Sequence, residues 1–105
     1  MDRPLSEPER AVLGWMLDDV DEYRAQIPGL RVRGVCGCGC PSIDFVPSGT
    51  PWGSAVGRPG WIRGEAVLLE LFASDGHLTG LEVTDFVGSR QSLPDPRDLV
   101  DTPPN

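Results

Sequence analysis

Gly34-Val35-Cys36-Gly37-Cys38-Gly39-Cys40-Pro41 holds all three cysteines of a 105-residue chain, each separated from the next by one glycine. Gly37 and Gly39 accept positive φ at no steric cost, so the run predicts a tight turn and not a strand or a helix. On its N-terminal side Leu30-Arg31-Val32-Arg33-Gly34-Val35-Cys36 alternates as a strand does, and on its C-terminal side Ser42-Ile43-Asp44-Phe45-Val46 reads as another. The two make a hairpin or tight bend with Cys36 and Cys40 close across its neck.

Further along, Glu65 to Ala73 is the most apolar segment, with Val67, Leu68, Leu69, Leu71 and Phe72 filling both faces, the pattern of a central strand. Asp75-Gly76 then separates it from a return strand at about 78–87, a strong signal for a two-residue hairpin turn. That turn pairs Ala73 with Leu78, Glu70 with Leu81 and Leu68 with Val83. Gly80 falls opposite Leu71, where a bulge or close backbone approach is expected.

Ahead of both hairpins, Ser6-Glu7-Pro8-Glu9 has the form of a capping box. Leu13, Met16, Leu17, Val20, Arg24 and Ile27 recur at three- and four-residue steps, which predicts a one-sided helix over 7–27 ended by Pro28-Gly29. Gly14 inside it costs about 1 kcal/mol relative to alanine, which makes sense where a helix backbone lies close to a sheet. Pro47, Pro51 and Pro59, with glycines at 49, 53, 57, 60 and 64, predict an irregular loop over 47–64. Trp52 and Trp61 lie in it, either folded back over the core or held out to a partner. Pro94 to Val100 allows one helical turn, and residues 1–6 and 101–105 are expected to fray.

The expected fold is therefore α+β, a single domain over 1–105. An N-terminal helix packs on an antiparallel sheet of about four strands formed by two hairpins, because a one-sided helix and a sheet must bury their apolar faces on each other.

The net charge is −7, with 16 acids against nine bases, and every base is arginine. This balance argues against nucleic acid, whose phosphates need a basic face. It suits a basic protein partner, or solubility alone. The N-terminus lacks the basic and apolar regions of a signal peptide, and no apolar run reaches the ~18 residues of a membrane span. Together these lead to the expectation of a cytoplasmic protein with reduced thiols, no membrane partner and no nucleic-acid partner.

Three thiols at this spacing form a candidate site for a soft metal, zinc or copper. Cys36, Cys38 and Cys40 supply the sulfurs, and His77, the only histidine, is the candidate fourth ligand. The plainer reading is that these are small, partly buried residues of a hairpin. A third is a thiol enzyme using Cys38 at the apex, which needs a cationic or basic neighbour. No Gly-x-Ser-x-Gly, phosphate-cradling loop or His-Glu-x-x-His accompanies them, so the chain leans away from an enzyme. Asp18, Asp19, Asp21 and Glu22, in the second half of the predicted helix, form either a solvated face or an acidic patch for a basic partner.

The run from Val35 to Phe45, with its Leu30-Arg31-Val32 leader, resembles a group of small bacterial proteins of actinobacterial type that carry a Cys-Gly-Cys-Gly-Cys-Pro run. Leu71-Phe72, Asp75-Gly76, Leu78 and Leu81-Glu82-Val83 are similar to that group's second hairpin. The resemblance implies an α+β domain and brings no activity with it. The hairpin and tail also bear an architectural likeness to small immunity proteins of bacterial toxin systems. From the residues, the leading expectation is a small non-enzymatic binding protein, immunity- or antitoxin-like, acting through its acidic helix face. A thiolate metal-binding protein is the alternative.

Overall fold

The computed structural model describes residues 2–104. In chain order it contains β1 (Arg3–Pro4), α1 (Glu7–Met16), α2 (Asp21–Arg24), a 3₁₀ turn (Ile27–Gly29), β2 (Arg31–Val32), β3 (Gly34–Val35) and β4 (Ile43–Asp44). Then come β5 (Ser54–Ile62), β6 (Val67–Ser74), β7 (His77–Asp85), a second 3₁₀ turn (Pro96–Asp98) and β8 (Leu99–Val100). The class is α+β, as expected, and the sheet is larger than expected. Six antiparallel strands run in the order β3-β4-β7-β6-β5-β8, and β1 pairs with β2 in a separate ribbon. The N-terminal segment expected to fray thus contributes a short strand; Met1 and Asn105 lie outside the described residues.

The start of α1 follows from its residues. Ser6 Oγ accepts the Glu9 N–H at 3.3 Å and Glu9 Oε1 accepts the Ser6 N–H at 2.8 Å, so two donors left over at the helix start are satisfied reciprocally. The same Glu9 carboxylate takes Arg3 through two bonds, of 2.8 and 2.9 Å. The helix does not run unbroken to residue 27. It stops at Met16, with no basic residue in its last turn, and Asp18-Asp19 follow where the helix dipole disfavours carboxylates. The chain restarts as α2, whose first turn holds Asp21 and Glu22 where that dipole favours them.

The loop expected over 47–64 is, in its second half, a strand. β5 pairs with β6 from Ser54↔Ala73 to Trp61↔Leu68, with a bulge between Val56 and Gly60. The residues that disguised it are those the packing requires. Pro59 lies inside the bulge, where no ladder N–H is needed. Gly57 (φ +73°) lies so close to α1 that a Cβ on it would stand 2.6 Å from the Met16 carbonyl oxygen. The close helix–sheet approach expected at Gly14 is therefore made from the sheet side; a Cβ on Gly14 would meet nothing within 4 Å. Arg58 closes the same junction, donating to the Trp15 carbonyl at 2.8 Å with its guanidinium 3.7 Å from the Trp15 ring centroid.

The Asp75–Gly76 turn forms as read, with both residues at positive φ (52° and 81°), the requirement of the type I′ turn. Ala73 pairs with Leu78 as expected, and a bulge at Thr79 then shifts the register by one. Beyond it Phe72 faces Gly80, Leu71 faces Leu81, Glu70 faces Glu82 and Leu69 faces Val83. Because side chains alternate, this shift puts Val67, Leu69, Leu71, Leu81 and Val83 on one face. That face joins Val12, Leu13, Met16 and Leu17 of α1 and its end in one buried core.

Candidate metal centre

β3 and β4 pair as Val35↔Ile43 and Gly34↔Asp44, and residues 36–42 form the turn between them. The Gly39 N–H donates to the Cys36 carbonyl at 3.2 Å, and Gly39 itself sits at φ +90°, so the glycine spacer reverses the chain. The reversal gathers the sulfurs: Cys36, Cys38 and Cys40 Sγ all lie within 4.8 Å of one another. Cys36 and Cys38 Sγ are 2.6 Å apart, and the Cys40 N–H donates to Cys38 Sγ at 3.4 Å. Cys38 is exposed, and Cys36 and Cys40 are half-buried.

The turn is tied to the sheet through Ser42. Its Oγ lies 3.4 Å from Cys40 Sγ and accepts the Val83 N–H of β7 at 2.9 Å. The two outer thiols differ as a result. Cys36 is pushed up to about 11, chiefly by its hydrogen bond with Cys38, which holds the proton. Cys40 is brought down to about 7: burial opposes its thiolate, and bonds from Ser42 and the neighbouring sulfurs outweigh that.

A cavity of about 240 Å³ opens beside the sulfurs, lined by Cys38, Cys40, Asp85, Gly88, Ser89 and Arg90. Its far wall is a loop organised on one carboxylate. Asp85 accepts the N–H groups of Val87, Gly88 and Arg90 at 3.2, 2.9 and 3.1 Å, and these bonds, Val87 foremost, hold its carboxyl below the usual range. In the sequence Ser42 reads only as a strand residue, and Asp85 as one of the carboxylates scattered along strands on a solvated sheet face. Asp85-x-x-Gly88 carries an Asx-turn signal that points to the second; nothing local points to the first.

His77 does not join the sulfurs. It begins β7 at the Asp75–Gly76 turn, whereas the cysteine turn meets β7 at Val83, six residues and so ~20 Å along an extended strand. Among the described residues the three cysteines alone form a group with metal-ligand spacing. The four acids are exposed but do not share one helix face: Asp18 and Asp19 stand in the break after α1, Asp18 is 3.8 Å from Arg24, and Asp21 and Glu22 open α2.

The two tryptophans part company. Trp52 folds back over Gly80, donates to Asp44 Oδ1 at 2.8 Å and lies 5.5 Å from the Phe72 ring. Trp61 is a strand residue of β5, half-buried, and stacks on Phe86 at 6.0 Å. No helix is long and apolar enough to cross a membrane among the described residues. No protein-family model, curated protein or solved structure matches the chain.

Proposed function

We propose that this protein binds a soft d¹⁰ metal ion, Zn²⁺ or Cu⁺, through the thiolates of Cys36, Cys38 and Cys40. The observation that carries this reading is the convergence of three sulfurs within 4.8 Å on one glycine-spaced turn. Sulfurs around a tetrahedral ion with bonds of about 2.3 Å stand roughly 3.8 Å apart. The separations here bracket that value, from 2.6 Å for the Cys36–Cys38 pair up to 4.8 Å at most. Thiolate is the donor that selects Zn²⁺ or Cu⁺ over hard cations. The exposed Cys38 and the adjoining cavity give a path to the ion and room for a further ligand from solution.

The role this supports is metal handling, not metal-dependent folding. No residue between 33 and 42 belongs to the buried core, so the core does not depend on a closed metal loop. Reduced protein is titrated anaerobically with Cu⁺ against a competing chelator, and separately with Co²⁺ as an optical surrogate for Zn²⁺. The expected result is about one equivalent bound with thiolate-to-metal charge-transfer absorbance. Cys36→Ser, Cys38→Ser and Cys40→Ser together abolish it and leave the thermal midpoint of the metal-free protein nearly unchanged. Less than about a tenth of an equivalent of either ion overturns the reading.

A further inference from the structure

The sheet has a second face. Alternation along each strand places Trp61 of β5, Leu68, Glu70 and Phe72 of β6, Glu82 and Thr84 of β7, and Asp44 of β4 on the side opposite the core. The long helix lies wholly on the other side, where Gly57 and Gly60 meet Met16 and Trp15. On this second face the large side chains stay half-buried, and Phe86 beside them is 59% exposed.

The pattern on that face is specific. At its centre Glu70 and Glu82 stand directly opposite each other on neighbouring strands. Like charges in that position are destabilising. Neither carboxylate has a hydrogen bond or an ion pair among the described residues, and no arginine occupies any of the strand positions on this face. An aromatic pair flanks the carboxylates at either end: Trp52 with Phe72, and Trp61 with Phe86.

We infer that this open sheet face is the docking surface for a partner protein that presents an arginine between Glu70 and Glu82. The argument is one of complementarity. A guanidinium is planar and always charged; it bridges two carboxylates through its fork of N–H donors and stacks its flat faces on aromatic rings. Lysine, a compact and strongly hydrated point charge, lacks the planar fork that spans two carboxylates and the flat face that stacks on a ring. Tryptophan and the other aromatics around the charge site supply the desolvated anchor that an interface needs. This face adjoins the cysteine turn, whose Ser42 bonds Val83 beside Glu82, and it moves the basic partner from the dispersed acids of residues 18–22 to a facing pair of carboxylates with built flanks.

The test compares two variants of equal charge. A peptide of alternating arginine and glycine is titrated into the folded protein, followed by tryptophan fluorescence and amide shift mapping. The expected result is perturbation of residues 61, 68–72 and 80–84, with affinity at least about tenfold weaker for Glu70→Gln/Glu82→Gln. Asp18→Asn/Asp19→Asn, which removes the same charge, leaves affinity within about twofold, and the lysine–glycine peptide binds several-fold more weakly. Equal loss for the two double variants reduces the effect to net charge and overturns the inference. So does perturbation confined to residues 18–24, or a dimer in sedimentation that buries this face and excludes the peptide.

Discussion

Adjacent residues of β6 live in different environments. Leu69 faces α1 and is fully buried; Leu68, one residue away, faces outward and remains half-exposed beside Trp61. The same contrast holds for charge. On the helix side one carboxylate, Glu9, is buried, and it is held by Arg3 and by Ser6. On the open side Glu70 and Glu82 face each other, and neither has an ion-pair partner among the described residues. One face is finished by the chain itself and the other is not, and a strand of alternating side chains is what lets both exist back to back.

The sharpest way to break this comparison is to make the same deletion on both faces. Leu69→Ala is expected to cost about 3 kcal/mol in denaturant unfolding, and Leu68→Ala about 1 kcal/mol, because only the first leaves a cavity in a closed core. Equal losses would mean that both faces are covered. Gly57→Ala comes next, at about 2 kcal/mol, because it sets a Cβ against the Met16 carbonyl at a left-handed φ. Gly64→Ala, also at positive φ but with nothing within 4 Å, carries the backbone part alone and should cost about 1 kcal/mol.

A smaller effect separates the carboxylates by pH. Burial raises the Glu9 carboxyl, but the Arg3 and Ser6 bonds outweigh it and hold the group below its ordinary 4.5. A group depressed in the folded state adds stability above its unfolded value and loses it as pH falls through the folded one. Unfolding free energy should therefore drop on acidification below about pH 4.5, and the Arg3→Ala variant should show a shallower drop. The smallest effect is on the open face: Glu82→Thr relieves the pair with Glu70 and is expected to stabilise by a few tenths of a kcal/mol at low salt, fading as salt rises. A loss there instead would mean that a cation already sits between the two carboxylates.

Features written in a few adjacent residues were legible without a structure. The capping box at Ser6 and Glu9, the Asp75–Gly76 turn and the reversal of the chain at Gly39 each depend on contacts within a few positions, so local chemistry decides them. The convergence of the three sulfurs belongs here too, because glycine spacers leave the segment little else to do. Strand β5 could not be read this way. Its Gly57, Pro59 and Gly60 violate strand propensity, and they are there because α1 presses against them at Met16 and Trp15, some forty residues earlier in the chain. The bulge at Thr79, which decides that Glu70 faces Glu82 and not Leu81, is likewise set by tertiary contact: Thr79 Oγ1 donates to the Trp52 carbonyl at 2.6 Å. Sequence alone determined the turns, the start of the first helix and the sulfur cluster, because short-range sterics and hydrogen bonds suffice for those. Which strand covers which, which face stays open and where His77 stands relative to the sulfurs were decided only when distant segments packed, because register and burial are properties of the whole sheet.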